Sequence, residues 1–244
     1  MKNVGHRTEA LVSFCHDLTQ AFLLAKLVSR SAKAEIKQLR DDALGLQQNP
    51  AECDMAKATQ FKQEADKYLK LAKDTMPNVL FLFLMTKFEA YLEDIAVLIC
   101  QRAPDIIGLP TTSSEEEVRG KVHNKHLYGK NLDKVGEFFK TQLNIPFAEI
   151  CGAAQGCTPR ELDKAKAIRN IHVHGSGRVD SKFKTRIGDQ NLRDGEYYAV
   201  TNEYLNDLKD KTCMLVWGLD IWATSNYPSL PRSTEVISPD DFSS

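Results

Sequence analysis

The sequence lacks the simplest signatures of several protein classes. Its six cysteines are scattered without a C-x2-C pair, which argues against a zinc site and favours free thiols in a reducing compartment. The formal net charge is only -1, so any contact with phosphate has to come from a local basic patch. The longest apolar run, Val79 to Met85, is too short to cross a bilayer, and no signal peptide is recognisable. We therefore expect a cytoplasmic protein with no membrane partner and no cofactor.

Helical periodicity dominates what remains, and it predicts an all-α protein. Residues 1–75 are typical of two long polar-rich helices, which would form an N-terminal helical hairpin arm. A more hydrophobic helical domain is predicted over residues 76–227, with its first helix starting at Met76-Pro77. Residues 186–200 predict a small irregular or hairpin insertion before the last helix. Residues 228–244 are rich in Pro, Ser and Asp and predict a disordered tail.

One helix has strong boundary signals at both ends. Thr158 can cap its start, Pro159 suits the first helical position, and Glu161 can reach back to complete a capping box. Gly175 and Gly177 follow the other end and offer the left-handed backbone with which many helices finish. The helix is therefore predicted to run from residue 159 to about 174.

The end of this helix gathers unusual chemistry: Arg169, Asn170, His172 and His174 lie within six residues. Arginine reads phosphate with a planar fork of donors, and histidine can exchange a proton near neutral pH. These are the two requirements of RNA cleavage without a metal. On an ideal helix Arg169 and His174 point about 140° apart, whereas His172 lies closer to the face of Arg169. Either histidine could therefore be the proton-transfer group.

Each of these residues also has a plainer explanation. Arg169 could simply pair with Glu161, Asp163 or Glu89, and His174 could stabilise the carboxyl end of the helix. Glu89 stands on an apolar core helix. It is therefore a candidate for orienting Arg169 or a histidine, and the alternative is a solvated edge residue.

Four basic residues follow the motif. Arg178, Lys182, Lys184 and Arg186 are candidates for contacts with RNA phosphates, which would make binding sensitive to salt. The alternative is an ordinary solvated face. A pair of histidines elsewhere, His123-x2-His126, lacks further ligands of metal type, so no metal site is predicted.

Three segments resemble the HEPN superfamily of all-helical proteins, and most closely its RiboL-PSP-type members. They are Phe88 to Asp94, Ala167 to Asp180, and Gly195 to Val200 leading into the last helix. Active members are metal-independent endoribonucleases with an R-x4-6-H motif, in which Asn, Asp or His usually follows the arginine. The resemblance therefore implies a HEPN-like helical bundle with Arg169, Asn170 and His174 as catalytic residues. The bare spacing is weak support, because Arg119 and His126 also satisfy it loosely.

The resemblance further implies attack of the RNA 2′-OH on phosphorus, which leaves a 2′,3′-cyclic phosphate. It implies a homodimer with a composite active site, a toxin or phage-defence role, and an inhibitory or activating partner protein. One alternative is a non-catalytic HEPN-like scaffold that binds RNA, nucleotide or protein. Another is a helical interaction protein that assembles through its N-terminal arm.

Overall fold

The structure is a computed structural model that describes residues 5–48, 55–154 and 156–238. These residues are mostly helical, which confirms the all-α prediction. The helices are α1 (Glu9–Gln48), α2 (Met55–Lys70), α3 (Met76–Arg102), α4 (Glu115–Lys121), α5 (Leu132–Thr141), α6 (Phe147–Ala153), α7 (Pro159–His174), α8 (Ser181–Ile187) and α9 (Asn202–Asn226). Two π-helical turns, Leu71–Thr75 and Val122–Leu127, and a 3-10 turn, Pro104–Ile107, lie between them.

The described residues form two compact units. One contains residues 5–19, 82–198 and 206–238, and the other contains residues 20–81 and 199–205. The first has the larger core, in which Leu84, Phe88 and Ile95 of α3 and Leu162 and Ile168 of α7 are all fully buried. Ion pairs of Lys166 and Arg169 with Glu89 join α7 to α3, and α7 also contacts α5 and α8.

The second unit has its own small core. Ile36 and Leu39 of α1 and Ala65 of α2 are buried together, with Phe61 and Leu69 packed against them. Apolar residues at this spacing are typical of two amphipathic helices in contact.

The helix α3 begins at Met76, as predicted, but no loop separates it from α2. The π-helical turn Leu71–Thr75 joins the two helices directly. Proline lacks an N–H and its ring crowds the carbonyl four residues earlier, and a wider turn gives that ring more room. The side-chain amide of Asn78 also donates to the carbonyl of Asp74, which supplies a donor in this turn. The proline therefore adjusts the helix without ending it.

A short helix, α8, lies before most of the segment predicted as an irregular hairpin and overlaps only its residues 186 and 187. Asp180 caps α8 by accepting from the backbone N–H of Phe183 at 2.6 Å, and Gly188 ends it with φ +74°. The extended pieces pair residues 177–179 with residues 195–198. Gly188, within the predicted segment, thus ends a helix, and residues 195–198 of that segment pair with residues that precede α8.

Part of the segment predicted as a disordered tail has a defined place. The strand β2 (Val236–Ile237) pairs antiparallel with β1 (Gly5–His6), and Leu230 is buried. Residues 239–244 of that prediction lie outside the described residues, as does Cys53. Cys15 is buried, and Cys100, Cys151, Cys157 and Cys213 are buried free thiols.

Among the described residues, one helix meets the length and composition expected of a membrane span. An 18-residue stretch of α1 has a mean hydropathy of 1.3, and 33% of it is buried within the protein. Core helices and leader segments meet the same criterion, so α1 is not assigned to a membrane on this basis.

Candidate active site

The helix α7 carries the site, and its start is as predicted. Thr158 accepts from the backbone N–H of Glu161 at 3.2 Å, and the Glu161 carboxylate accepts from the Thr158 N–H at 2.9 Å. Pro159 is the first helical residue. The capping box and the proline together fix where α7 begins, which sets the position of every residue that follows.

The end of α7 differs in detail from the prediction. Gly175 has φ -119°, so it does not take the left-handed conformation, whereas Ser176 and Gly177 do, with φ +52° and +73°. The backbone N–H groups of Gly175 and Gly177 both donate to the carbonyl of Ile171, at 2.8 and 2.9 Å. The helix therefore stays regular through His174 and turns away immediately after it.

A cavity of about 500 Å³ lies against α7. Lys166, Arg169, Asn170 and His174 all line it. On an ideal helix these four residues lie within an arc of about 140°, and Asn170 fills the space between Arg169 and His174. A broad cavity can therefore reach both motif residues without any distortion of the helix.

The other walls of this cavity come from three parts of the same unit. Glu89 and Glu93 project from α3, and Leu132 and Val135 from α5. His123 in the second π-helical turn and Tyr128 just beyond it complete the wall. The cavity thus combines acidic, basic and apolar surfaces.

Arg169 is held in place by two partners. One terminal nitrogen, Nη1, donates to the side-chain oxygen of Asn170 at 2.9 Å, and the other, Nη2, forms an ion pair with Glu89. Lys166 approaches the second oxygen of Glu89 at 3.5 Å. Of Glu161, Asp163 and Glu89, the three acidic residues that could pair with Arg169, the structure places Glu89 against it. Two cations and one carboxylate leave one net positive charge at this wall of the cavity.

Two polar atoms of this group have no hydrogen-bond partner within the described part of the chain. They are Nε of Arg169 and Oε1 of Glu89; both are buried, and Oε1 has only the long ion-pair contact with Lys166, at 3.5 Å. Buried polar atoms are nearly always paired in folded proteins, and each exception calls for an explanation, of which a functional role is one. Their presence beside the cavity is consistent with a site that binds a polar ligand.

The structure separates the two candidate histidines. His174 is exposed and lines the cavity, whereas His172 does not line it. On the helix His172 lies about 60° beyond the arc of the cavity residues, on the side of Arg169. Its ring packs edge-on against Tyr197 with 5.5 Å between centroids, and burial lowers its pKa although a hydrogen bond with the backbone of Tyr198 opposes this. Of the two, His174 has the better position to meet a substrate.

A second cavity of about 260 Å³ adjoins the first, since Asn170 and His174 line both. Arg178, Lys182 and Arg186, three of the four predicted RNA-contacting residues, also line it. The fourth, Lys184, pairs with Asp194 at 2.8 Å and lines neither cavity.

Sequence reasoning missed several residues of the larger cavity. Lys166 stands three positions before Arg169 and Glu93 four positions after Glu89, so helical spacing could have indicated both. His123 was considered only as a metal ligand. Its contact with Glu93 joins residues thirty positions apart, which no local pattern reveals.

The second arginine–histidine spacing does not form a site. Arg119 forms ion pairs with Glu93, Asp94 and Glu115, and the ring of His126 stacks on Phe138 at 4.1 Å. Neither Arg119 nor His126 lines a cavity described above. Among residues 5–48, 55–154 and 156–238, no group of three or more His, Cys, Asp and Glu side chains is placed to hold a metal ion.

Gly177 keeps the loop after α7 close to the site, and its replacement should be costly. A Cβ at this position would lie 2.4 Å from Cε2 of Tyr197 and 3.0 Å from Nδ1 of His172, on a backbone with φ +73°. We expect Gly177→Ala to lower the free energy of unfolding by about 1–3 kcal/mol, measured by urea denaturation. Gly108→Ala is the matched control, because φ is +70° there and the described chain leaves the Cβ position open. Equal losses in the two variants would show that Tyr197 adapts freely.

Comparisons of the chain with protein-family models, with curated proteins and with solved structures found no match in any of the three.

Proposed function

We propose that the protein is a metal-independent endoribonuclease of the HEPN type. One observation carries this proposal: a guanidinium, an amide and an imidazole, from Arg169, Asn170 and His174, line the same cavity of about 500 Å³. The three groups match the residues that the sequence resemblance implies for catalysis. A cavity of this volume is in the usual range for small-molecule sites and could hold a nucleotide.

The proposed reaction uses groups that line this cavity. The 2′-OH of the RNA attacks the adjacent phosphorus, the bond to the 5′-oxygen breaks, and a 2′,3′-cyclic phosphate and a 5′-OH remain. His174 would transfer a proton at one of the two oxygens. Arg169 and Lys166 would stabilise negative charge as it builds on the phosphoryl oxygens, and Asn170 would orient the phosphate.

The second cavity gives the RNA a path away from the reacting phosphate. It continues from Asn170 and His174 to Arg178, Lys182 and Arg186. Cations along one groove would bind successive phosphates of a single strand and release counterions. This arrangement favours a substrate longer than a mononucleotide.

The path predicts a specific salt dependence. Lys182→Ala should weaken binding of a 2′-O-methylated RNA, which lacks the nucleophile, and should reduce the slope of log K against log salt by about 0.7. Fluorescence anisotropy over a series of KCl concentrations measures both effects. Lys140→Ala is the control, because Lys140 is exposed on α5 and lines neither cavity. An unchanged slope in the Lys182 variant would remove this residue from the RNA path.

A non-catalytic scaffold is the second candidate function. It is favoured by the ion pair of Arg169 with Glu89, which already occupies part of the guanidinium. A scaffold of this kind would bind RNA or nucleotide in the same cavity without cutting it. RNA binding with no product at enzyme concentrations equal to substrate would favour this candidate.

We further propose a cytoplasmic homodimer with a composite active site, in which toxin or phage-defence activity is controlled by an inhibitory or activating partner. The exposed apolar side chains of Val173, on α7 beside His174, and Tyr128, on the cavity wall, support a partner surface there. Sedimentation velocity at several protein concentrations tests the dimer directly.

The experiment that tests the proposed activity is a gel assay of purified protein on mixed RNA in EDTA. We expect the wild-type protein to cut RNA in the presence of the chelator. The Arg169→Ala variant, purified in parallel, should not cut it. Intact RNA after incubation with stoichiometric wild-type protein would contradict the proposal for the isolated chain. Cutting that EDTA abolishes would contradict the metal-independent mechanism.

A further inference from the structure

A second histidine lines the same cavity from outside α7. His123 lies in the π-helical turn Val122–Leu127, and its Nδ1 is 2.7 Å from the carboxylate of Glu93. Both residues line the cavity that also contains Arg169 and His174. Two imidazoles therefore line one cavity. A concerted acid–base reaction needs one group that accepts a proton and one that donates a proton, and two imidazoles can fill these roles.

The contact with Glu93 determines which ring nitrogen can act. A carboxylate only accepts hydrogen bonds, so Nδ1 of His123 has to carry the hydrogen that it shares. Nε2 is then the nitrogen left to exchange a proton with a substrate. Glu93 is itself held by Nη1 of Arg119 at 3.3 Å, and its side chain is only 21% exposed. A fixed carboxylate behind an imidazole is a common means of orienting a catalytic histidine.

The local backbone and the neighbouring ring add to this arrangement. π-Helical turns are uncommon and occur often at functional sites. The turn closes when the Tyr128 N–H donates to the carbonyl of His123 at 2.7 Å. The centroids of the Tyr128 ring and the imidazole lie 5.3 Å apart, and Tyr128 is 70% exposed. The imidazole thus sits beside an aromatic surface on which a base could stack.

We propose that His123 is the general acid of the reaction and that His174 is the general base; this inference rests on the proposed ribonuclease function. His174 takes the proton of the 2′-OH as the bond from 2′-oxygen to phosphorus forms. As the bond from phosphorus to the 5′-oxygen breaks, Nε2 of His123, starting as imidazolium, gives its proton to that oxygen. The cycle leaves His174 protonated and His123 neutral, and exchange with solvent resets both.

An exposed histidine–glutamate pair elsewhere in the same unit provides the matched control. His16 Nε2 lies 2.8 Å from Glu235, nearly the same separation as in the His123–Glu93 pair. His16 lines neither cavity. If the His123–Glu93 contact is only a surface ion pair, replacing His123 should change the cleavage rate as little as replacing His16 does.

The test uses two dinucleotide-length RNA substrates that differ in one atom, the 5′-bridging oxygen or a sulfur in its place. A thiolate leaves without needing a proton, so loss of the general acid should matter only for the oxygen substrate. We expect the cleavage rate of the oxygen substrate to fall by about 10²-fold or more in His123→Ala and His123→Gln. The same variants should cut the sulfur substrate at a rate within a few-fold of wild type. His174→Ala should cut both substrates more slowly, by a comparable factor. His16→Gln should cut both at the wild-type rate.

Each other outcome overturns the assignment in a recognisable way. If the cleavage rate of the His123 variants falls by the same factor on both substrates, or does not fall, His123 is not the general acid. Rescue of His174→Ala by sulfur would reverse the two roles. A wild-type protein that cuts neither substrate nor longer RNA would overturn the proposed function itself, and the inference with it. Circular dichroism and thermal unfolding confirm that each variant is folded.

Discussion

Replacing His174 by alanine should lower the rate of RNA cleavage by about 10²- to 10⁴-fold. This is the usual contribution of a side chain that transfers a proton in the transition state. The fold should tolerate the change, because His174 is exposed at the end of α7. Substitutions of such surface residues usually change the free energy of unfolding by less than about 0.5 kcal/mol. Single-turnover cleavage of a labelled RNA, together with urea denaturation, measures both quantities.

His172→Gln is the decisive comparison for this prediction. His172 belongs to the same helix but packs on Tyr197 outside the cavity, so its replacement should leave most of the cleavage rate. If His172→Gln is inactive and His174→Ala retains its rate, the assignment of the proton-transfer group is wrong. Glutamine keeps much of the size of the ring, which limits the loss of packing against Tyr197.

Replacing Arg169 by alanine should lower the cleavage rate by about 10²- to 10³-fold, because the transition state loses a positioned cation. The change should also destabilise the fold, by about 1–3 kcal/mol, because Glu89 loses its main partner in a partly buried position. The rate has to be measured well below the unfolding transition, so that the folded population is the same as in wild type.

Arg169→Lys separates charge from geometry. Lysine keeps the positive charge but cannot offer two donors in one plane, so its cleavage rate should stay well below that of wild type. Glu89→Gln tests the partner: it removes the ion pair while leaving the cavity-lining arginine in place. A folded Arg169→Ala protein that cuts RNA within about threefold of wild type would show that this residue is only a structural ion-pair partner.

The helix that carries the motif was predictable because its signals are local. Thr158, Pro159 and Glu161 act within one turn, so the start of α7 follows from chemistry that does not depend on the rest of the fold. The direct junction of α2 with α3 was not predictable, for the opposite reason. There a π-helical turn and the side chain of Asn78 accommodate the proline, and neither is visible in a periodic pattern.

The site shows the same division between local and long-range information. Helical spacing places Lys166, Arg169, Asn170 and His174 on neighbouring faces, so this wall of the cavity was within reach of sequence reasoning. The wall formed by Glu93 and His123 was not, because it depends on how α3 packs against a turn that follows α4. Choosing between His172 and His174 likewise required knowing where the cavity lies.

The most direct test of the account is mass spectrometry of products from a DNA strand that contains a single ribonucleotide. Attack by the 2′-OH predicts one cut, immediately after the ribose, with a 2′,3′-cyclic phosphate on one fragment and a 5′-OH on the other. The reaction should proceed in EDTA and should be lost in His174→Ala. Cutting at deoxyribose positions, or products with a 5′-phosphate, would contradict the central claim that the ribose hydroxyl is the nucleophile.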